Sequence, residues 1–219
     1  MKIAALVIAI GDVQYKEDSL AVLRDFFNYN NIPLVVVEND ISENYHKSHP
    51  SWLKTLCHSI IDADFIFCWD LDLLPVRRYD VMEMVTSLEK YHLGIECGLL
   101  YGFDRYYFGP EGKNFKYNGG LQLIPKKYQK DIEQIYRDFG YKDLNAWEQI
   151  PLNTWIEEND IPISVLRPEY NNSMDTGLSF YKYVRNKHYT FGAMDLYTRS
   201  RMIKEHREDY FKLVDENGD

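Results

Sequence analysis

Residues 65–78 read FIFCWDLDLLPVRR, which sets two carboxylates one residue apart at the end of an apolar and aromatic run. Side chains alternate along an extended backbone, so Asp70 and Asp72 project to the same side. A buried charge is costly unless something pairs with it. The two acids therefore either reach solvent where the strand ends or share a cation. Two oxygen ligands on one side suit a hard divalent ion such as Mg²⁺ or Mn²⁺, with other positions left for water and phosphate oxygens.

The elements before this pair must carry it. Residues 3–10 are an unbroken apolar run suited to a strand buried on both faces. Over residues 17–29, Leu20, Leu23, Phe26 and Phe27 recur at helical spacing, with Asp18 or Ser19 as the expected cap. IPLVVVEND is a second strand ending in polar residues. Ser51 is the expected cap of a helix that presents Trp52, Leu53, Leu56, Ile60 and Ile61 on one face, and residues 64–69 form the third strand. This alternation predicts a parallel sheet covered by helices and joined by right-handed crossovers. Ligands bind such sheets beyond the carboxyl ends of the strands. Gly11-Asp12, Glu38-Asn39-Asp40 and Asp70-Leu71-Asp72 all fall there.

Past Tyr79 the pattern changes. Residues 80–91 read as helix, GIECGLLYGF as strand, and residues 104–116 as an exposed loop rich in Gly, Tyr and Phe. YNGGLQLIP enters another strand, followed by a helix over residues 126–139, a further helix over 146–159 and a late strand in IPISVL. Residues 197–214 are amphipathic and lead into the polar tail DENGD, which fits a natural terminus or an interdomain linker of a longer protein. The expected organisation is one domain over residues 1–219, with a first half to about residue 100 and a second half from about residue 101.

Composition narrows the function. The 219 residues are 45% hydrophobic and 27% charged, as in ordinary globular proteins, and a formal charge of −9 argues against nucleic acid as the main partner. Cys57, Cys68 and Cys97 are odd in number and scattered, so no disulfide framework is expected and a reducing compartment fits best. AALVIAI lacks a small-residue cleavage pattern and reads as a strand, no run approaches the length of a membrane span, and a cytoplasmic, monomeric protein is expected. Asn171-Asn172-Ser173 fits the glycosylation sequon, read here as chance.

With the motifs taken together, the sequence resembles the GT-A family of nucleotide-sugar glycosyltransferases. ADFIFCWDLDLLP resembles that family's hydrophobic strand leading into its D-X-D motif. KYNGGLQLIPKK resembles the Asn-Ala/Gly-Gly segment of retaining members. WEQIPLN resembles their Asp-Gln-Asp-X-X-Asn segment, with Ile150 departing from it, and KHYTFG resembles a late metal-binding histidine. The order of these pieces over residues 3–192 carries the resemblance, and the overall look is close to the small glycosyltransferase domains of chlorella viruses.

The resemblance implies a GT-A fold: a Rossmann-like, mostly parallel central sheet flanked by helices, with a small second sheet. It implies a metal site of Asp70, Asp72 and His188 for Mn²⁺ or Mg²⁺, and a neutral imidazole suits such metals. Ile10, Gly11, Asp12, Glu38, Asn39, Lys54, Trp69, Asp70 and Leu71 fall where the family binds the nucleotide, and Gly119, Gly120 and Asn153 where it binds the donor sugar. Glu148, Gln149 and Asn118 are the implied catalytic set. Glu148 could stabilise an oxocarbenium-like centre, bond the donor sugar or act as nucleophile. The implied reaction moves a hexose from a UDP-sugar to a saccharide or glycan hydroxyl, leaning towards retention. Tyr101, Phe103, Tyr106, Tyr107 and Phe108 are the expected acceptor wall or lid.

Other readings compete. A dehalogenase-type phosphatase also ends a strand in D-X-D, but on its first strand and with Thr or Val where this chain has Leu74. A sugar-nucleotide pyrophosphorylase needs a Gly-rich loop and Arg after strand one, and IGDVQYKEDS has neither. A nucleotide-sugar-binding domain without turnover shares its binding residues with an enzyme.

Overall fold

A strand flanked by helices on both faces needs apolar residues at every position, and the third strand shows this most plainly. The computed structural model describes residues 1–39, 41, 49–88, 92–97, 107–108, 114–115, 117–139, 148–173, 184–189 and 195–217. The first half contains β1 (Ile3–Ile8), α1 (Lys16–Tyr29), β2 (Leu34–Val37), a 3₁₀ segment (Pro50–Leu56) running into α2 (Cys57–Ile60), β3 (Phe65–Trp69), β4 (Leu73–Pro75), α3 (Met82–Ser87) and β5 (Leu93–Cys97). A short ribbon of β6 (Tyr107–Phe108) and β7 (Asn114–Phe115) follows, where a loop was expected. Then come β8 (Tyr117–Pro125), α4 (Lys126–Phe139), α5 (Gln149–Glu158), β9 (Ile163–Leu166), β10 (Asn172–Ser173), β11 (Asn186–His188) and α6 (Leu196–Asn217).

Among the described residues, six strands form the main sheet in the order β2-β1-β3-β8-β5-β9. β1 pairs in parallel with β2 and with β3, in registers that place Ile8 beside Val37 and Val7 beside Trp69. β5 pairs in parallel with β9. β8 is antiparallel to both β3 and β5, so it alone runs against the other five strands. A small second sheet of β10, β11 and β4 sits beyond the end of β3. The expected architecture, a mostly parallel sheet flanked by helices with a small second sheet, is the one observed.

Side-chain alternation along β3 divides the core. Phe67 and Trp69 join Leu23, Phe26 and Phe27 of α1 and Tyr210 of α6 on one face. Ile66 and Cys68 join Trp52, Leu53, Ile132 and Leu152 on the other. Cys57 and Cys68 are free and buried, as small hydrophobes.

Two helix starts differ from expectation. Neither Asp18 nor Ser19 caps α1: Tyr15 holds the N-cap position without a side-chain bond, Asp18 lies in the first turn, and Ser19 is buried. Ser51 does not cap its helix either. Pro50 has no N–H to satisfy and a fixed φ suited to the first helical position, so the helix starts earlier. His49 takes the cap, its Nδ1 accepting from the Ser51 amide at 3.3 Å.

The long α6 braces α1 and the second sheet. Asp195 opens it by accepting from the Thr198 amide at 2.9 Å and hydroxyl at 2.8 Å. Tyr210 donates to Asp25 at 2.7 Å, and Arg78 grips the same carboxylate through Nε at 3.0 Å and Nη2 at 2.6 Å. His206 is buried with Nε2 2.8 Å from the Pro75 carbonyl and Nδ1 2.9 Å from the Tyr189 hydroxyl. A carbonyl only accepts, so Nε2 carries the proton and Nδ1 accepts from Tyr189.

Burial pushes the His206 imidazole down to about 4, although the Pro75 carbonyl favours its charged form. The unfolded chain therefore takes up a proton near its ordinary value of about 6.5 that the folded chain refuses until about 4. Stability from this site is complete above about pH 6.5 and declines as pH falls to about 4, by roughly 3 kcal/mol. Melting temperatures between pH 4 and 7 should show that slope, and His206→Gln should flatten it.

Candidate metal centre and active site

β3 ends at Trp69, and its polar continuation turns the chain into β4. The Asp70 amide donates to the Gly120 carbonyl of β8 at 2.9 Å, and the Leu73 amide donates to the Asp70 carbonyl at 3.1 Å. β11 lies antiparallel to β4, with His188 opposite Leu73, and the Tyr189 amide donates to the Asp72 carbonyl at 2.9 Å. Asn186 anchors this strand by donating to the Tyr170 carbonyl at 2.7 Å while accepting from the Tyr79 hydroxyl at 2.9 Å. These bonds bring His188 against the two acids. Its Nε2 lies 3.5 Å from Asp70 Oδ2 and 3.4 Å from Asp72 Oδ1.

One ligand atom from each of the three residues lies within 4.8 Å of the others. Donors held about 2.1 Å from one ion sit about 3–4 Å apart, so two oxygens and an imidazole nitrogen at this spacing fit a divalent cation. His188 Nδ1 is 2.8 Å from Asn171 Oδ1, which leaves Nε2 facing the acids. Asn171 Nδ2 in turn donates to Asn118 Oδ1 at 3.1 Å.

Positive charge surrounds the acids. Lys54, only 4% exposed, sends its ammonium to Asp70 Oδ1 at 2.8 Å, Glu148 Oε1 at 2.7 Å and the Gly119 carbonyl at 2.9 Å. All three ammonium protons have acceptors. Burial alone would lower this lysine, but Asp70 and Glu148 hold it well above its ordinary range. Burial would likewise raise the Asp70 carboxyl, yet Lys54 and His188 hold it down at about 2. The buried Arg199 of α6 places Nη1 3.3 Å from Asp72 Oδ2 and 3.0 Å from the Tyr15 hydroxyl. Tyr15 is pushed up to about 12 by burial and by Asp72. His188 is raised to about 10 against its burial by Asp70 and Asp72. Glu148 is 1% exposed, and its Oε2 has no hydrogen-bond partner among the described residues.

No protein-family model matches the sequence, and no curated protein matches it significantly. Solved structures do. A glycosyltransferase involved in glycosylation of the major capsid of the chlorella virus PBCV-1 superposes with a TM-score of 0.67 at 11% identity, covering 94% of this chain and 100% of that one. The galactosyltransferase LgtC, solved with donor and acceptor sugar analogues, gives 0.62 at 17% identity over 94% and 96% of the two chains. Mouse xyloside xylosyltransferase 1 gives 0.54 at 12% identity over 89% and 100%. The fold is GT-A. The resemblance read from the motifs, including that to the chlorella-virus domains, is borne out in three dimensions.

On this GT-A sheet, the residues expected around the nucleotide follow the carboxyl ends of adjacent parallel strands. Ile10, Gly11 and Asp12 follow β1, and Gly11 has a φ of +96°, which glycine adopts without strain. Glu38 and Asn39 follow β2, and Glu38 pairs with Lys16 at 3.0 Å. Trp69 and Leu71 turn into the core, where the Trp69 indole donates to the Leu73 carbonyl at 2.5 Å, so only their backbone remains for a ligand. Asp40 and most of the expected aromatic wall lie outside the described residues.

The sugar-side residues largely brace one another. Asn118 Oδ1 accepts from the Gly120 amide at 2.7 Å, and Gln149 Oε1 from the Gly119 amide at 3.0 Å. Asn153 clasps Tyr117, accepting from its amide at 2.8 Å and donating to its carbonyl at 3.0 Å, so this side chain joins α5 to β8. Gly120 has a specific reason to lack a side chain: a Cβ there would lie 2.4 Å from His188 Cε1. Tyr15, Asn171 and Arg199 were missed by the sequence reading. Asn171 is 1% exposed and engaged with His188, so the sequon at this position is not displayed.

Replacing Lys54 by Met, of similar length, strands two carboxylates. Loss of one member of a buried ion cluster costs about 3–5 kcal/mol. Chemical denaturation of Lys54→Met should show a loss of that order, and adding Glu148→Gln should recover part of it.

Proposed function

We propose that this chain is a metal-dependent glycosyltransferase that moves a hexose from a nucleoside diphosphate sugar, with UDP as the nucleotide, to a saccharide hydroxyl. The observation that carries this reading is the meeting of Asp70, Asp72 and His188 at the ligand-binding edge of a GT-A sheet, although His188 lies 118 and 116 residues beyond the two acids. LgtC, a galactosyltransferase, and the PBCV-1 capsid glycosyltransferase have the same fold, which supports the class of reaction.

Asp70, Asp72 and His188 would hold Mn²⁺ or Mg²⁺. Such an ion supplies Lewis-acid stabilisation of the charge that grows on a departing diphosphate. Gly11-Asp12 and Glu38-Asn39 receive the base and ribose, where carboxylate and amide oxygens accept from N–H and hydroxyl groups. Lys54 fixes Glu148 through Oε1, leaving Oε2 for a donor-sugar hydroxyl. A buried carboxylate oxygen without a partner is costly, and that hydroxyl would satisfy it. Asn118 and Gln149 set the course of β8 at this site. The bond from the anomeric carbon to the diphosphate would break, the acceptor hydroxyl oxygen would bond to that carbon on the same face, giving retention, and the hydroxyl proton would pass to the departing diphosphate.

Release of UDP from a panel of UDP-sugars, with and without saccharide acceptors, tests the reading. Mn²⁺ should stimulate release, EDTA should abolish it, and Asp72→Asn, assayed well below a melting temperature lowered by the loss of the partner of buried Arg199, should reduce it by at least about a hundredfold, or about 2.7 kcal/mol of barrier. Undiminished release under chelation would reject the metal-dependent reaction. Tight UDP binding with no release from any donor would make the chain a binding module instead.

A further inference from the structure

A cavity of about 340 Å³ opens where the segment after β4 meets the start of β11 and the end of α6. It lies at the far end of the second sheet from the metal centre. β4 runs from Leu73, opposite His188, to Pro75, opposite Asn186, and the Val76 amide then donates to the Arg185 carbonyl at 2.8 Å. Three arginines line the cavity, and they differ in how far they are committed. Arg78 holds Asp25 through Nε and Nη2. Arg185 places its guanidinium 5.3 Å from the centre of the Tyr79 ring and gives Nη2 to Glu83 Oε2 at 3.3 Å. Arg77 is exposed, and its side chain has no hydrogen-bond or ion-pair partner among the described residues. Two carboxylates share the lining. Asp80 uses Oδ1 on the Met82 amide at 2.9 Å and Glu83 uses Oε2 on Arg185, so among the described residues each keeps one oxygen without a hydrogen bond. Leu213 and Val214 of α6 add aliphatic surface.

We propose that this cavity is a second saccharide-binding site, for a hexose ring that carries one anionic group, either a uronate carboxylate or a phosphate ester. Small-molecule sites begin at about 300 Å³, so the space suits a single ring. A site for a bare anion would not set two carboxylates beside its arginines, because like charges brought together are repelled. Sugar hydroxyls both donate and accept. Asp80 Oδ2 and Glu83 Oε1 can take hydroxyl protons, and the N–H groups that Arg185 does not spend on Glu83 can donate to hydroxyl oxygens. Leu213 and Val214 offer apolar contact to the C–H surface of a ring. Arg77 selects the charged substituent, since a planar guanidinium forks onto a carboxylate or a phosphate through two parallel hydrogen bonds. Binding here uses no part of the metal centre. Its use, a second hold on the acceptor glycan, rests on the transferase reading above.

The test is an NMR titration of the isotope-labelled protein, free of metal and nucleotide, with glucuronate, glucose 6-phosphate, glucose and inorganic phosphate in turn. Glucuronate or glucose 6-phosphate should shift the amide signals of Arg77, Asp80, Glu83 and Arg185 with a dissociation constant of about 1 mM or lower. The tighter of the two identifies the anionic group. Glucose and inorganic phosphate should each bind at least about tenfold more weakly than that ligand. Arg77→Met, at an exposed position, should weaken its binding at least about tenfold, and Leu213→Glu, which brings a like charge to the cavity, should do the same. Inorganic phosphate binding as tightly as the charged sugars overturns a saccharide site, and glucose binding as tightly overturns the role of Arg77. An unchanged affinity in folded Arg77→Met does so too. No shift at these residues with any of the four probes overturns the site. The comparison of probes is made on the wild type, so it holds whether or not a variant folds. With metal and UDP absent, none of these results bears on the transferase reading, which UDP release tests separately.

Discussion

Carboxylates at the end of a buried strand stay ionised only where cations meet them, and this constraint organises the molecule around Asp70 and Asp72. Lys54 comes from the 3₁₀ segment before β3, His188 from β11 in the second sheet, and Arg199 from the first turn of α6. Each approaches from a different side, so the main sheet, the second sheet and the last helix must all be in place before the charges balance. The geometry that neutralises the acids in the resting protein is also the geometry that leaves one oxygen of each turned towards the imidazole.

β8 gives this arrangement its floor. By running against β3 and β5 it lays the backbone of Gly119 and Gly120 beside the start of the D-X-D turn. The Gly120 carbonyl takes the Asp70 amide, the Gly119 carbonyl takes Lys54, and the missing side chain of Gly120 is the space that His188 fills. A strand chosen only for its apolar pattern would do none of this. The two glycines are therefore tied to packing at the metal ligands as well as to any approach of a sugar.

Much of this was legible in the sequence because it is local. The apolar run of β3, the same-side acids, the strand–helix alternation and the helix over residues 126–139 all depend on neighbours within a few positions. The late histidine and the buried lysine came from the resemblance. What escaped reading depends on distant partners. Arg199 sits in an amphipathic helix full of charged residues, and only its 184-residue separation from Tyr15, closed in space, shows that it faces inward. Asn171 looked like part of a sequon, and its engagement with His188 exists only once the second sheet has formed. The 3₁₀ segment starts earlier than Ser51 suggests because Pro50 shifts the cap to His49, a residue type that rarely suggests one.

The last helix has a dual attachment with a consequence for how the molecule opens. Along one length it is stitched to α1 through Arg207 with Asp18 and Tyr210 with Asp25, and at its start it delivers Arg199 to Asp72. Detaching it would uncover apolar core and at the same moment strip a buried carboxylate of its counter-charge. Fraying of this helix is thus penalised twice, and the C-terminal segment joins the D-X-D turn in one cooperative unit. Its amide protons should exchange with solvent only as slowly as the turn itself comes apart.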